Sequence, residues 1–167
     1  FVGTNIDFSG DTLLGGLQTR TITDKPENGK VYDAVIKSVK GEKVGIFGLI
    51  TEETSGISSP GSVKFENYIK QAQATVDALE SQGVNKIIAL THIGYDDNAL
   101  VDNDLLLAKA VEGIDLIVGG HSHSQLNKPV AILEDSEGKE KDAMIIVQAY
   151  QYADFLGTVT LEFDKNG

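Results

Sequence analysis

The chain has no cysteine among its 167 residues. That excludes a thiolate metal site, a cysteine nucleophile and a disulfide framework. Positive charge is scarce: 14 Lys and Arg stand against 25 Asp and Glu, a formal charge of −11. Such a composition carries no electrostatic footprint for nucleic acid. If the substrate is an anion, the positive charge must be supplied locally, and a metal ion is the obvious source. No apolar run approaches the ~18 residues of a membrane span. The opening "FVGTNID" lacks a starting Met and the basic and apolar regions of a signal peptide. It reads as an internal piece of a longer protein that is already in a strand at its first residue. Lack of cysteine fits a cytosolic or an exported protein, so composition leaves the compartment open.

Histidine is also rare. There are three, His92 in "LTHIG" and His121 and His123 in "GGHSHS", each after an apolar run and close to glycine. Their meaning depends on the surrounding elements. Residues 1–40 read as turn-rich and β-rich, with "VYDAVIKSV" an alternating strand. Lys40-Gly41-Glu42 reads as a tight hairpin turn into "KVGIFGLI", an apolar run of the kind buried on both faces. Between Val63 and Gln82, Phe65, Ile69, Ala72, Val76 and Leu79 recur at spacings of 4, 3, 4 and 3, which predicts a helix stopped by Gly83. "NKIIAL" predicts a strand ending at Thr91-His92. "DNDLLLAKAVEG" predicts a short helix capped by Asp102 or Asn103 and stopped by Gly113, and "IDLIVGG" a strand ending at His121. In the tail, "PVAILED", "DAMIIVQA" and "LGTVTLEFD" read as strands, with a turn at Ser136-Glu137-Gly138-Lys139. The expectation is one α/β unit: parallel βαβ units with β-rich margins.

Parallel βαβ strands all end on the same edge of their sheet, where open α/β sheets place their sites. His92 and His121 are therefore expected on one rim. In an extended segment the i, i+2 spacing points His121 and His123 the same way. Convergent neutral imidazoles suit zinc, manganese, iron, cobalt or nickel better than magnesium or calcium. The bland alternative is three isolated surface or hydrogen-bonded histidines. Asp96 and Asp97 could support metal ligands or be loop residues and caps. Glu52 and Glu53 also fall at a strand end on the rim. The glycines of "GDTLLGG" lack the strand-then-helix context of a phosphate loop and read as turns.

At "IIALTHIGYDDN…LAKAVEGIDLIVGGHSHS" the chain resembles the calcineurin-like metallophosphoesterases, and within them the 5′-nucleotidases and 2′,3′-cyclic-nucleotide phosphodiesterases. "KVGIFGLITEET" and "VQAYQYADFLGTVTLEFD" resemble the same branch. The resemblance implies an αββα sandwich holding two divalent ions (Mn, Zn, Co or Fe). His92 and His121 would bind the second metal and His123 the first. It also implies a nucleotide substrate and an extracellular, cell-wall or periplasmic location. The family's Asp-x-His and Asn-His motifs are absent from this sequence. Residues 1–167 are thus expected to be the C-terminal portion of one metallophosphoesterase domain, a partial sandwich with no second domain. The expected chain is inactive alone, has its metal sites empty or partly filled, and self-associates through the face left bare. The alternatives are a non-catalytic metal-binding or interaction module and a mononuclear three-histidine zinc hydrolase.

Overall fold

The computed structural model describes residues 1–98 and 100–164. In chain order its elements are β1 (Ile6–Asp7), β2 (Ile22–Thr23), β3 (Ala34–Val39), β4 (Glu42–Ile50), α1 (Thr54–Ile57), β5 (Lys64–Phe65), α2 (Tyr68–Glu80), β6 (Ile87–His92), α3 (Asp104–Ala110), β7 (Leu116–Val118), β8 (Val130–Glu134) and β9 (Glu140–Val147). Among the described residues, seven strands form one sheet in the order β2-β3-β4-β6-β7-β9-β8. β4, β6, β7 and β9 run parallel, so their C-terminal ends share a rim. This is the expected α/β architecture and agrees with part of a metallophosphoesterase fold. Val39 pairs with Glu42 across a two-residue turn. Lys40 and Gly41 in that turn have φ of 53° and 91°. A type I′ hairpin needs both of those positive angles.

One face of the sheet carries the core. Phe47, Leu49, Ile87, Ala89, Ile117, Met144 and Ile146 alternate inward and pack with Ala72, Val76 and Leu79 of α2 and Leu107 and Ala108 of α3. Each such large apolar side chain contributes about 1.5–3 kcal/mol by leaving water. Helix α2 approaches β4 so closely that a Cβ on Gly45 would lie 2.9 Å from Leu79 Cδ1. Both crossover helices lie on this face, as connections of one hand require in a sheet that grows in one direction.

The other face departs from the expectation that these strands are buried on both sides. Leu90 and Val118 are 42% and 37% exposed, and Ile46, Ile88, Ile145 and Val147 beside them are half-buried. A continuous apolar run makes both faces fit for burial, but the described helices cover only one. Two further expectations are corrected. Helix α2 begins at Tyr68, not Val63, because Asn67 has ψ of 118° and its side chain accepts the Lys70 N–H. That cap ends the helical pattern, and Lys64–Phe65 pair instead with Ile6–Asp7. Residues 156–164 form no strand. Their alternation is strand-like, but no backbone ladder partner meets them among the described residues.

Backbone bonds and one buried amide hold the N-terminal segment. Asn5 is fully buried. Its Nδ2 donates to Ile50 O (2.8 Å) and Glu66 O (3.2 Å), and its Oδ1 accepts Ile50 N–H (3.0 Å). The amide satisfies the end of β4 as a neighbouring strand would.

Candidate metal centre

The rim of the parallel strands gathers the functional side chains. Strand β6 ends at His92, and β7 ends at Val118, three residues before His121. The His92 and His121 rings meet edge to face with centroids 5.1 Å apart. Metal–nitrogen bonds of about 2.1 Å place two rings ligating one ion roughly 4.6–5.3 Å apart at octahedral or tetrahedral angles. The observed spacing fits that range. Gly120 leaves the room: a Cβ there would sit 3.0 Å from His92 Nδ1. Desolvation at the rim, then the His121 and His123 imidazoles, holds the His92 pKa below its ordinary value. The ring is thereby kept in the neutral form that ligates metals.

His123 behaves differently from the expectation. His121 and His123 have φ of 79° and 55°, so the segment turns instead of extending, and the period-2 argument fails. The His123 ring packs edge-on against Tyr152, centroids 5.2 Å apart. Among the described residues, no three His, Asp or Glu side chains converge tightly enough to hold an ion. Of the three histidines, His92 and His121 are the pair whose donor chemistry and spacing would suit a shared nitrogen-preferring divalent metal, as two members of a larger shell.

The two rim glutamates divide. Glu52 Oε1 accepts the N–H of Tyr68 (3.0 Å) and Nδ2 of Asn67 (3.2 Å), so it serves the start of α2. Glu53 enters the site: its Oε2 lies 3.8 Å from His121 Nε2, and its Oε1 accepts from Asn98 Nδ2. Asp96 and Asp97 are exposed loop residues, with Asp97 folded against Gly94.

No protein-family model matches the chain. It is 42% identical over 172 residues to the trifunctional nucleotide phosphoesterase protein YfkN of Bacillus subtilis, covering 99% of this chain and 11% of that protein. It is 38% identical over 144 residues to a 5′-nucleotidase of Diplobatis ommata, covering 79% of this chain and 24% of that protein. The solved 5′-nucleotidase precursor of Thermus thermophilus superposes with a TM-score of 0.70 at 33% identity, over 90% of this chain and 28% of that one. The chain belongs to the calcineurin-like phosphoesterases, on the 5′-nucleotidase branch. It spans between about a tenth and a quarter of the curated relatives' lengths.

This calcineurin-like rim also holds residues that the sequence reading missed. Asp102, one of the two candidate caps for α3, is buried. The cap is Asn103, which accepts Leu106 N–H. Asp102 instead accepts Thr51 Oγ1 (2.9 Å) and Glu52 N–H (2.7 Å), tying the α3 loop to the end of β4. Asp104 is wholly buried. Its Oδ1 accepts Thr91 Oγ1 at 2.6 Å, and its Oδ2 has no hydrogen-bond partner. Burial pushes its pKa up to about 7. Gln148, one residue past β9, is buried and reaches into the histidine loop. Its only signal in the sequence is that it continues the inward alternation of Met144 and Ile146.

Proposed function

We propose that this chain is part of a metal-dependent phosphoesterase that hydrolyses nucleotides, with His92, His121 and His123 as its share of the metal ligands. The observation that carries the reading is the 5.1 Å edge-to-face pair of His92 and His121 at the C-terminal rim of a parallel sheet. The names of its relatives, a nucleotide phosphoesterase and a 5′-nucleotidase, agree with it. Divalent ions bound there supply Lewis acidity to a phosphoryl oxygen and lower the pKa of a bound water. The chain's own part is to present neutral imidazole from two strand ends. Glu53 Oε2, 3.8 Å from His121 Nε2, is beyond hydrogen-bond distance and places a carboxylate beside that ring. The mononuclear zinc reading gains no support from His123, whose ring packs on Tyr152.

Neither Asp-x-His nor Asn-His occurs in this sequence. In this reading the rest of the metal shell comes from elsewhere in the full polypeptide, and the 167-residue chain alone turns over no nucleotide. The test compares the chain, the full polypeptide and its His121→Ala variant on nucleoside monophosphates and a 2′,3′-cyclic nucleotide with added manganese, cobalt or zinc. The expected result is metal-dependent turnover by the full polypeptide only, lowered at least a hundredfold by His121→Ala. Full activity in that variant would refute the assignment.

A further inference from the structure

The loop that carries His121 and His123 holds two non-glycine residues in the left-handed region, φ 79° and 55°. Such conformations persist only where the surroundings over-determine them. One side chain bonds the loop at three points. Gln148 Oε1 accepts Ser124 N–H (2.5 Å) and lies 3.3 Å from the Ser122 hydroxyl, which donates to it. Gln148 Nε2 donates to Gly120 O at 3.3 Å. The orientation of the amide is fixed by chemistry, because the Ser124 N–H can only donate and the Gly120 carbonyl can only accept. Thus one buried amide, borne by the end of β9, grips the loop before His121 and after His123.

The grip extends to the other histidine. Gly94 N–H donates to Gly120 O (3.0 Å), and Tyr95 N–H donates to Ser122 Oγ (2.9 Å). Gly94 and Tyr95 follow closely on His92 in the chain. Gly120 O and Ser122 Oγ therefore connect the His92 loop to the amide of Gln148. The serine of His-Ser-His is a junction between the two loops. Gly119 completes the fit, since a Cβ there would lie 3.1 Å from Gln148 Nε2 and 2.2 Å from Asp104 Oδ2.

We propose that Gln148 is the positioning residue of this centre: its amide locks the left-handed turn that sets the His121 ring against His92. The proposal rests on the metal-site reading above, and its test separates the two. The 167-residue chain is compared with Gln148→Leu, Gln148→Asn and Gln148→Glu. Leu is close in volume without the bonds. Asn keeps the amide but is one methylene short, and it guards against a Leu variant that fails to fold. Glu keeps the acceptor for Ser124 and Ser122.

Two readouts need no metal: hydrogen-exchange protection of the Ser124 amide and the nuclear Overhauser contact between the His92 and His121 rings. Protection is expected to fall at least tenfold in Leu and Asn, with loss of the ring contact, and to fall less in Glu, which keeps the acceptor for Ser124 but sets an oxygen against the Gly120 carbonyl. A third readout, on the full polypeptide, is manganese affinity by calorimetry, expected to weaken at least tenfold in Leu and Asn, as for other residues that orient metal ligands. Wild-type protection and ring contact in folded Gln148→Leu or Gln148→Asn would overturn the proposal. So would wild-type manganese affinity in a variant whose loop is loosened. If the full polypeptide takes up no manganese while the ring contact depends on Gln148, the clamp stands and the metal reading falls.

Discussion

At the scale of single residues, Asp104 sets a measurable pH dependence. Its carboxyl is buried with one oxygen unpartnered, and its pKa rises to about 7 in the folded chain. In the unfolded chain it titrates near ~3.9. Between those values the folded form keeps a proton that the unfolded form has released, so stability falls as pH rises, on the order of 1 kcal/mol per unit. Above pH ~7 the contribution is flat. Asp33, Asp102 and Asp115 are raised by burial in the same direction. Asp104→Asn keeps an acceptor for Thr91 and removes the charge. Urea denaturation of the metal-free chain from pH 4 to 8 should show a shallower slope for the variant and greater stability than wild type at pH 8. An unchanged slope would mean that Asp104 is ionised in the folded chain. These polar residues were poorly legible in the sequence. An Asp at a helix start looks like a cap, a Gln after a strand looks like a loop, and histidine gives no sign of positive φ as glycine does. The meeting of His92 and His121 on one rim was legible because each follows a parallel strand, whereas the placement of His123 was not.

At the scale of elements, the βαβ units were readable because two periods alternate along the chain, apolar runs for parallel strands and a 3.6-residue stripe for α2. What failed needed information outside the segment. The start of α2 was decided by the Asn67 cap, and the strand pattern of residues 156–164 had no partner to pair with. The contact of α2 with β4 gives a test of packing. Leu79→Ala should cost about 2–5 kcal/mol, the transfer and cavity cost of a buried leucine. Gly45→Ala should cost about 1–3 kcal/mol by overpacking, since the new methyl meets Leu79 and Val84 at 2.9–3.2 Å. The double variant should cost less than the sum, by at least ~0.5 kcal/mol, because the smaller side chain makes room for the new methyl. Thermal unfolding of the four proteins measures this coupling, and strict additivity would contradict the close approach.

At the scale of the whole molecule, an apolar sheet face works against a strong net charge. Leu90 and Val118 are open on that face, and contiguous apolar surface favours association. The formal charge of −11 opposes it through repulsion that salt screens, with a Debye length of ~10 Å at 0.1 M. Self-association of the chain should therefore grow with sodium chloride from 0.05 to 0.5 M. Sedimentation velocity should show the weight-average coefficient rising with salt and protein concentration. A salt-independent monomer would refute self-association through this face. A partial αββα sandwich was expected from the sequence, and the described residues build such a part: a seven-stranded sheet with its helices, beside the β1–β5 pair.

The buried amide of Asn5 also places an order in time on synthesis. Its acceptors are Ile50 and Glu66, the second of them 61 residues later in the chain. At a ribosomal rate of about 5–20 residues per second, Asn5 waits roughly 3–12 seconds for the complete set of bonds. The β3–β4 hairpin, with its two-residue turn, closes far sooner, because short loops close in well under a millisecond. Asn5 thus emerges before its partners and is fastened after the hairpin between them has closed. Between the arrival of Ile50 and that of Glu66, Asn5 can join the end of β4 but not yet the residue that leads into α2.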